Sequence, residues 1–117
     1  MISLWLPFPV SVNALYSGKG RRFKSPRYTA WIIEAKRALT QQHFTAFDKI
    51  PLQVTYVLSR PDKRVRDAEN YLKAPTDLLV AFGIIPDDSY IGRGVYEWAD
   101  MVGKVCESGM DIEIEPL

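Results

Sequence analysis

Residues 60–88 read RPDKRVRDAENYLKAPTDLLVAFGIIPDD, a stretch in which a basic run leads directly into a compact set of acidic and polar groups. Apolar residues recur through it at the spacing of an amphipathic helix, so we predict a helix over residues 68–82. On a helical wheel of about 100° per residue, a polar stripe lies opposite the apolar arc. The stripe, which we expect to face away from the core, holds Glu69, Asn70, Lys73, Thr76 and Asp77.

The ends of this predicted helix carry recognisable signals. Asp67 stands at the N-cap position, and Gly83 stands where a helix would end, before an acidic turn at residues 86–88. Pro75 interrupts the pattern, because it lacks the N–H that an interior helical residue donates and its ring crowds the preceding turn. We therefore expect either a kink at Pro75 or a helix that begins near Ala74.

The acidic residues of this stretch have two interpretations. In the structural one, Asp67 is a helix cap, Glu69 pairs with Lys73 four residues on, and the acidic turn is only a turn. In the functional one, the carboxylates of Asp67, Glu69 and Asp88 hold a hard cation such as Mg²⁺, which prefers oxygen ligands. The adjoining basic run favours the second, because carboxylates repel a phosphodiester unless a metal ion intervenes.

The order and spacing of these residues resemble the motif of the RusA-type Holliday junction resolvases, small endonucleases of bacteria and their prophages. The matching positions are Lys63, Arg64, the run RDAEN at 66–70, Lys73, Gly83 and the pair Asp87 and Asp88. Two positions depart from the pattern. Glu69 stands where the best-known members have Asp, and Pro75 interrupts the helix after Lys73.

The resemblance implies a homodimeric, Mg²⁺-dependent endonuclease that resolves four-way DNA junctions by paired symmetric nicks. It implies that Asp67, Glu69 and Asp88 are catalytic metal ligands and that Lys73 offsets charge in the transition state, with Asp87 as an outer carboxylate. A dimer with two equivalent sites also suits the approximate two-fold symmetry of such a junction.

Charge is distributed unevenly along the 117 residues, although the net charge is only +1. Residues 1–75 carry 13 Lys and Arg against 5 acids, and residues 76–117 carry 2 against 9. The segment at 19–27 has five cations around Phe23 and no acid, a composition that suits a flexible arm or hairpin contacting DNA. The predicted DNA-binding residues are Lys19, Arg21, Arg22, Lys24, Arg27, Lys63, Arg64 and Arg66.

Other classes of protein are disfavoured. The Gly-Lys-Gly at 18–20 lacks the spacing of a phosphate-binding loop, so no nucleotide cofactor is expected. The single cysteine, Cys106, excludes an intrachain disulfide, and no Cys and His cluster supports zinc. No window approaches 18 uninterrupted apolar residues, so we expect a soluble, cytoplasmic protein with no membrane partner. His43 and Asn13 are left outside the catalytic set.

The elements predict a single α/β domain over residues 1–117, with a mixed sheet and two main helices in the order β-α-β-α-β-β. Strands are expected at 2–6 and 51–59, and the first helix at about 26–42. The C-terminal part is expected to be β, with strands at 89–98, 102–106 and 110–114.

Two other functions remain open. One is a non-catalytic DNA-junction-binding protein in which the acidic residues are structural. The other is a metal-dependent nuclease that acts on other branched or flapped DNA.

Overall fold

The computed structural model describes residues 1–18 and 22–117. Its strands are β1 (Ile2–Leu6), β2 (Tyr16–Ser17), β3 (Phe23–Lys24), β4 (Leu52–Ser59), β5 (Ile91–Trp98) and β6 (Gly109–Pro116). Its α-helices are α1 (Pro26–Thr40), α2 (Lys73–Ala81) and α3 (Ala99–Val102), and 3₁₀ turns lie at Val12–Ala14, Ala68–Tyr71 and Asp88–Tyr90. Over the two described ranges, no helix is long and apolar enough to cross a membrane.

The main sheet has four strands in the order β1-β6-β4-β5. Strands β4 and β5 are parallel, whereas β6 runs antiparallel to both of its neighbours. Five consecutive residues of β4, from Val54 to Leu58, are buried, so both faces of this strand are covered. The mixed sheet and the α/β class predicted from the sequence are confirmed. The strands β2 and β3 form a separate two-stranded antiparallel hairpin, in which only β3 belongs to the basic segment at 19–27.

Helix α1 forms where its signals predict. Ser25 is the N-cap, and its hydroxyl accepts a hydrogen bond from the Tyr28 backbone N–H at 3.1 Å, with Pro26 at the first helical position. The buried side of the helix carries Trp31, whose indole N–H donates to the Pro7 carbonyl at 3.0 Å. This bond ties the proline-rich segment after β1 to the helix.

The predicted helix over 68–82 is two elements. A 3₁₀ turn covers Ala68–Tyr71, and α2 begins only at Lys73. Pro75 is the third residue of α2, where the backbone N–H has no intrahelical acceptor, so its absence costs no helical hydrogen bond. The expected start near Ala74 is therefore confirmed and the single continuous helix is wrong. Gly83, at φ +77°, ends the segment in the left-handed conformation.

The strand predicted at 102–106 is wrong. Val102 ends α3, and Gly103 terminates that helix with φ +69° while the Lys104 N–H donates to the Ala99 carbonyl at 3.0 Å. Residues after this turn run as an exposed loop, in which Val105 is 99% exposed. A left-handed glycine turns the chain away from the sheet, and pairing resumes at β6 (Gly109–Pro116).

The outer edge of the sheet at β1 is covered by one side chain from the end of α1. The Gln42 amide oxygen accepts from the Trp5 backbone N–H at 2.7 Å, and its amide nitrogen donates to the Trp5 carbonyl at 2.7 Å. The same nitrogen also donates to the Ala38 carbonyl at 3.0 Å. Gln42 thus satisfies backbone groups that an edge strand otherwise leaves open.

We expect Gln42→Ala to lower the free energy of unfolding by about 1–3 kcal/mol, because it leaves partly buried backbone groups of Trp5 without partners. The neighbouring Gln41→Ala is the matched control, since Gln41 is exposed and its side chain makes no hydrogen bond. It should change the stability by no more than about 0.5 kcal/mol. Urea denaturation followed by tryptophan fluorescence measures both, and equal midpoints would contradict the role of Gln42.

Candidate active site and nucleic-acid interface

Asp67 stands at the N-cap position of the 3₁₀ turn Ala68–Tyr71, as the sequence predicts, but its carboxylate does not cap that turn. The Asp67 carbonyl accepts the first hydrogen bond of the turn, from the Asn70 N–H at 3.1 Å, and this bond does not involve the carboxylate. The carboxylate is exposed and forms no hydrogen bond or ion pair with the described residues. The structural interpretation of Asp67 as a helix cap is therefore wrong, and its carboxylate is available to a ligand.

Lys73 does not pair with Glu69. Its ammonium lies 3.1 Å from the Asp77 carboxylate, one turn further along α2. The reason is local geometry: Glu69 belongs to the 3₁₀ turn, so the four-residue spacing to Lys73 does not place both on one α-helical face. Asp77 raises the pKa of Lys73, mainly by accepting its hydrogen bond, so the lysine carries its charge at neutral pH. Glu69, like Asp67, is left exposed.

The two residues of the acidic pair after α2, Asp87 and Asp88, have different surroundings. Asp87 caps the 3₁₀ turn Asp88–Tyr90, accepting hydrogen bonds from the backbone N–H and the hydroxyl of Ser89. These bonds hold the pKa of Asp87 below its ordinary value. Asp88 follows as an exposed carboxylate, close enough to Lys73 to contribute to the raised pKa of that lysine. Asp87 is therefore needed by the turn, whereas Asp88 is presented by it.

A hydroxyl pair links the centre of the sheet to this region. The Tyr56 hydroxyl on β4 lies 2.6 Å from the Thr76 hydroxyl on α2, and Thr76 also donates to the Leu72 carbonyl at 2.7 Å. Burial raises the pKa of Tyr56, and the nearby charge of Asp88 adds to the increase. The phenol stays protonated at neutral pH and serves as a fixed contact between β4 and the start of α2.

The three predicted metal ligands are not gathered into one cluster. Asp67 and Glu69 border an open cleft of about 580 Å³ that is also lined by Tyr96 and Glu97 of β5. Asp88 does not line this cleft. Over residues 1–18 and 22–117, no three His, Cys, Asp or Glu side chains are placed to hold a metal ion together.

This arrangement can still accept Mg²⁺, because its donor chemistry is suitable. Mg²⁺ commonly takes only one or two protein carboxylates, with water and substrate phosphate completing its octahedral shell. Asp67 and Glu69 are two exposed carboxylates without partners in the described chain, and Asp88 is a third carboxylate presented by a turn that contacts α2. The residues fit an ion that is bound together with a phosphate, rather than a metal cage formed by the protein alone.

The basic loop before Asp67 is organised by one acid. Asp62 accepts two parallel hydrogen bonds from the Arg66 guanidinium, at 2.6 and 3.0 Å. It also accepts from the backbone and side chain of Arg64, at 2.9 and 3.3 Å. These bonds, first of all those from Arg66, hold the pKa of Asp62 well below its usual range. The loop is therefore shaped by ion pairing and presents a fixed set of cations.

The predicted DNA-binding cations of this loop have different surroundings. The Arg66 side chain is only 10% exposed and lies over the Phe8 ring, with its guanidinium carbon 5.7 Å from the ring centroid. Arg64 is 79% exposed, and Lys63 is exposed as well. Arg66 thus supports the loop, whereas Arg64 and Lys63 are open to a phosphate.

The basic segment at 19–27 and the basic loop before Asp67, which are distant in sequence, line a common cleft. A cleft of about 440 Å³ is lined by Arg27 from the first turn of α1 together with Arg64 and Arg66. A second cavity of about 370 Å³ brings Arg22 and Asn13 next to Lys73. Lys24 lines a third cavity, beside Asp77. The remaining predicted contacts, Lys19 and Arg21, lie outside the described residues.

Sequence reasoning missed two features of this surface. Asn13, which is outside the predicted catalytic set, shares a cavity with Lys73, and Tyr16 of β2 lines the same cavity. Glu97 of β5, which is also outside the predicted set, lines the cleft of Asp67 and Glu69 and pairs with Lys104 at 2.6 Å. Asn13 carried a weak signal as the amide that matches the resolvase pattern. No local pattern marks Tyr16 or Glu97.

Two curated proteins are similar to this chain. One is the crossover junction endodeoxyribonuclease RusA of Aquifex aeolicus (strain VF5), 33% identical over 86 residues that make up 74% of this chain and 68% of that protein. This chain belongs to the RusA family. The other is the crossover junction endodeoxyribonuclease RusA of Enterobacteria phage HK97, 29% identical over 84 residues, or 71% of this chain and 70% of that protein. No protein-family model matches the chain.

Membership of the RusA family confirms the family expected from the motif at residues 63–88. The α/β fold with a mixed sheet, expected from the order of the predicted elements, is confirmed by the strand order.

We expect Arg66→Ala to lower the urea midpoint more than Arg64→Ala, because Arg66 is nearly buried and forms the two-bond ion pair with Asp62. Arg66→Lys should recover little, since a single ammonium cannot reproduce the planar fork of the guanidinium. Arg64 is the matched control from the same loop. Because Arg64 also bonds Asp62, identical midpoints for the two alanine variants would show that the Arg66 pair adds no more stability than the exposed Arg64 pair.

Proposed function

We propose that this chain is a Mg²⁺-dependent endonuclease that resolves four-way DNA junctions by paired, symmetric nicks as a homodimer. The observation that carries the proposal is the state of Asp67. Its carboxylate is exposed and does not cap the turn that it precedes, and it directly follows a loop of open cations. The names of the two relatives, which are crossover junction endodeoxyribonucleases, support the choice of substrate. The activity belongs in the cytoplasm, where bacterial and phage DNA recombine.

In this proposal the carboxylates of Asp67, Glu69 and Asp88 are the metal ligands. A bound Mg²⁺ would activate water and neutralise charge on the scissile phosphate. Asp87 holds the turn that presents Asp88, and so acts as a supporting carboxylate. Glu69 has a longer side chain than the Asp usual in the family, but it is exposed at the mouth of an open cleft and is free to reach a ligand.

Lys73 is assigned to the scissile phosphate. Its ammonium stays charged because Asp77 raises its pKa. Asp77 accepts only one hydrogen bond from it, and an ammonium has three donors. The two remaining donors are available to a phosphate oxygen as negative charge develops there. Its side chain is about half exposed, at 51%, and lines the cavity that also holds Arg22.

The DNA backbone is assigned to the open cations around this site. Arg27 and Arg64 line one cleft, and Arg22 lines the cavity beside Lys73, so the surface offers cations to phosphates at two places. Lys63 of the exposed loop and Lys24 beside the neighbouring cavity are added to this set. Lys19 and Arg21 belong with Lys24 to the basic segment at 19–27. Arg66 acts indirectly, by holding Asp62 and the loop in place.

The symmetry of the proposed substrate is the reason for proposing a homodimer. A four-way junction has approximate two-fold symmetry, and its resolution needs two nicks at equivalent positions. One chain offers one set of carboxylates, so two chains related by a two-fold axis would supply both cuts. Sedimentation or light scattering at assay concentrations measures the oligomeric state directly.

A second candidate is a junction-binding protein that does not cleave. It is favoured by one observation, namely that no three acidic side chains in the described chain are grouped to hold a metal ion. Assays with a four-way junction, a flap and a linear duplex, each with Mg²⁺ and with EDTA, separate the possibilities. The proposed function requires symmetric, Mg²⁺-dependent nicks in the junction. Binding without nicks selects the second candidate, and preferred cleavage of the flap selects a nuclease for other branched DNA.

We expect Asp67→Asn and Asp88→Asn each to abolish junction cleavage while junction binding persists, because each change removes a metal-ligand charge and leaves the cations intact. Asp48→Asn makes the same change at an exposed acid in the loop between α1 and β4 and is the matched control. Gel-based cleavage and electrophoretic mobility shifts measure the two properties separately. Full cleavage by either site variant would remove that residue from the ligand set.

We expect Lys73→Ala to lower the single-turnover cleavage rate by about 100-fold or more at saturating enzyme, since loss of a fixed charge at the reacting centre costs about 3 kcal/mol of barrier. Asp77→Asn is the control, because it weakens the same ion pair but keeps the lysine. Both changes should cost only about 0.3–0.5 kcal/mol of stability. A Lys73→Ala rate within about threefold of the unaltered protein would show that the lysine serves only the helix.

A further inference from the structure

The cavity beside Lys73 has a component that the proposed function does not use. Its volume is about 370 Å³, and Tyr16 of β2 lines it together with Asn13 and Arg22. This volume falls within the range of about 300–1,000 Å³ that is typical of pockets for small molecules. The cavity is therefore large enough for one nucleotide, and its lining combines an aromatic ring, an amide and two cations.

Tyr16 is held in a fixed position. The residue before it, Leu15, is 1% exposed, and its carbonyl accepts a hydrogen bond from the Ser25 N–H at 2.8 Å. The Ser25 hydroxyl also donates to the Ala14 carbonyl at 2.7 Å. The start of the hairpin is thus anchored to the first turn of α1, and Tyr16 pairs in register with Lys24 across the hairpin.

The ring of Tyr16 is supported on one side and open on another. It meets the buried ring of Tyr28 edge-on, with centroids 6.1 Å apart and planes at 80°. Even so, 39% of Tyr16 remains exposed. Support by Tyr28 explains why the ring is ordered, but it leaves unexplained why a large aromatic surface faces a cavity flanked by Arg22 and Lys73.

Aromatic side chains between cations are the usual arrangement for binding unpaired nucleotides. Bases stack on the ring, whatever their identity, while the cations follow the backbone. Continuous duplex offers no free base face, and extruding a base costs least where its pairing is already disturbed. The branch point of a junction is such a place in the proposed substrate. Tyr16 and Lys73 line the same cavity, so an unstacked base next to a phosphate bound by Lys73 could stack on the Tyr16 ring.

We propose that this cavity binds one unstacked nucleotide of branched DNA next to the scissile phosphate, with the base stacked on Tyr16 and the backbone contacted by Arg22. The inference rests on the proposed function and adds a contact that distinguishes branched DNA from duplex. Tyr16 is then a specificity-determining residue, and the catalytic groups remain those described above.

The test compares Tyr16→Leu with Tyr16→Phe. Leucine keeps an apolar side chain against Tyr28 but removes the aromatic face, whereas phenylalanine keeps the face and loses only the hydroxyl. We expect Tyr16→Leu to weaken junction binding by about 5-fold to 150-fold, the range of one base stack, with little change in binding to linear duplex. Tyr16→Phe should bind both DNAs within about twofold of the unaltered protein.

The ratio of junction to duplex affinity separates recognition from structure. If Tyr16 only supports the hairpin, Tyr16→Leu will weaken both DNAs equally and lower the melting temperature, and the proposal fails. The slope of affinity against salt concentration should stay unchanged in Tyr16→Leu, because no phosphate contact is removed. A reduced slope would also overturn the assignment of the ring to a base.

A second measurement uses the unaltered protein and does not depend on whether a variant folds. A junction with 5-iododeoxyuridine at the branch point is irradiated with the protein in EDTA, and the adduct is located by peptide mass spectrometry. An adduct on Tyr16 supports the proposal, and an adduct confined to other residues overturns it. If the unaltered protein fails to bind the junction at all, the proposed function fails. If it binds and cleaves while Tyr16→Leu behaves identically, only the Tyr16 assignment fails.

Discussion

The parallel pairing of β4 with β5 is the constraint on which the rest of the molecule depends. Parallel neighbours cannot be joined by a tight turn, so the chain must return along the sheet before the second strand begins. In this protein the return is the segment between Ser59 and Ile91. All the candidate metal ligands and Lys73 lie on this one connection. The buried strand β4 therefore fixes both ends of the segment that carries the chemistry.

Within that connection, one acidic residue, Asp62, pairs with two arginines. Asp62 binds Arg64 and Arg66 at once, which limits the mutual repulsion of a loop that carries four basic residues between 60 and 66. Arg60 is held separately, with its guanidinium carbon 4.2 Å from the Trp98 ring centroid and an ion pair to Asp100 at 3.0 Å. The loop can then present Arg64 and Lys63 without collapsing onto the acidic residues that follow.

The sequence predicted well those elements whose signals are local. Ser25 and Pro26 mark the start of α1, and the alternation of β4 marks a strand, because capping and side-chain periodicity act over a few residues. The predicted helix is divided at Leu72, and Pro75 was the one residue in the sequence that indicated a break or a later helix start. The true partner of Lys73 depended on that split, since a 3₁₀ turn removes Glu69 from the helical face. Tyr16 and Lys73 are 57 positions apart, and only the tertiary fold shows that they share a cavity.

Lys73 stands at a helix position that disfavours a cation, and helix stability does not explain its presence there. It is the first residue of α2, where the helix dipole is positive and a cation is disfavoured. Its partner Asp77 lies four residues toward the C-terminus, and a lysine that precedes its acid is the weaker orientation of such a pair. A sequence selected for a stable helix would place an acid at this position. Residues that break local preferences without a structural return are typical of functional sites. A lysine at the positive end of a helix adds to the field of the helix dipole, and the two together attract a phosphate more strongly than either alone.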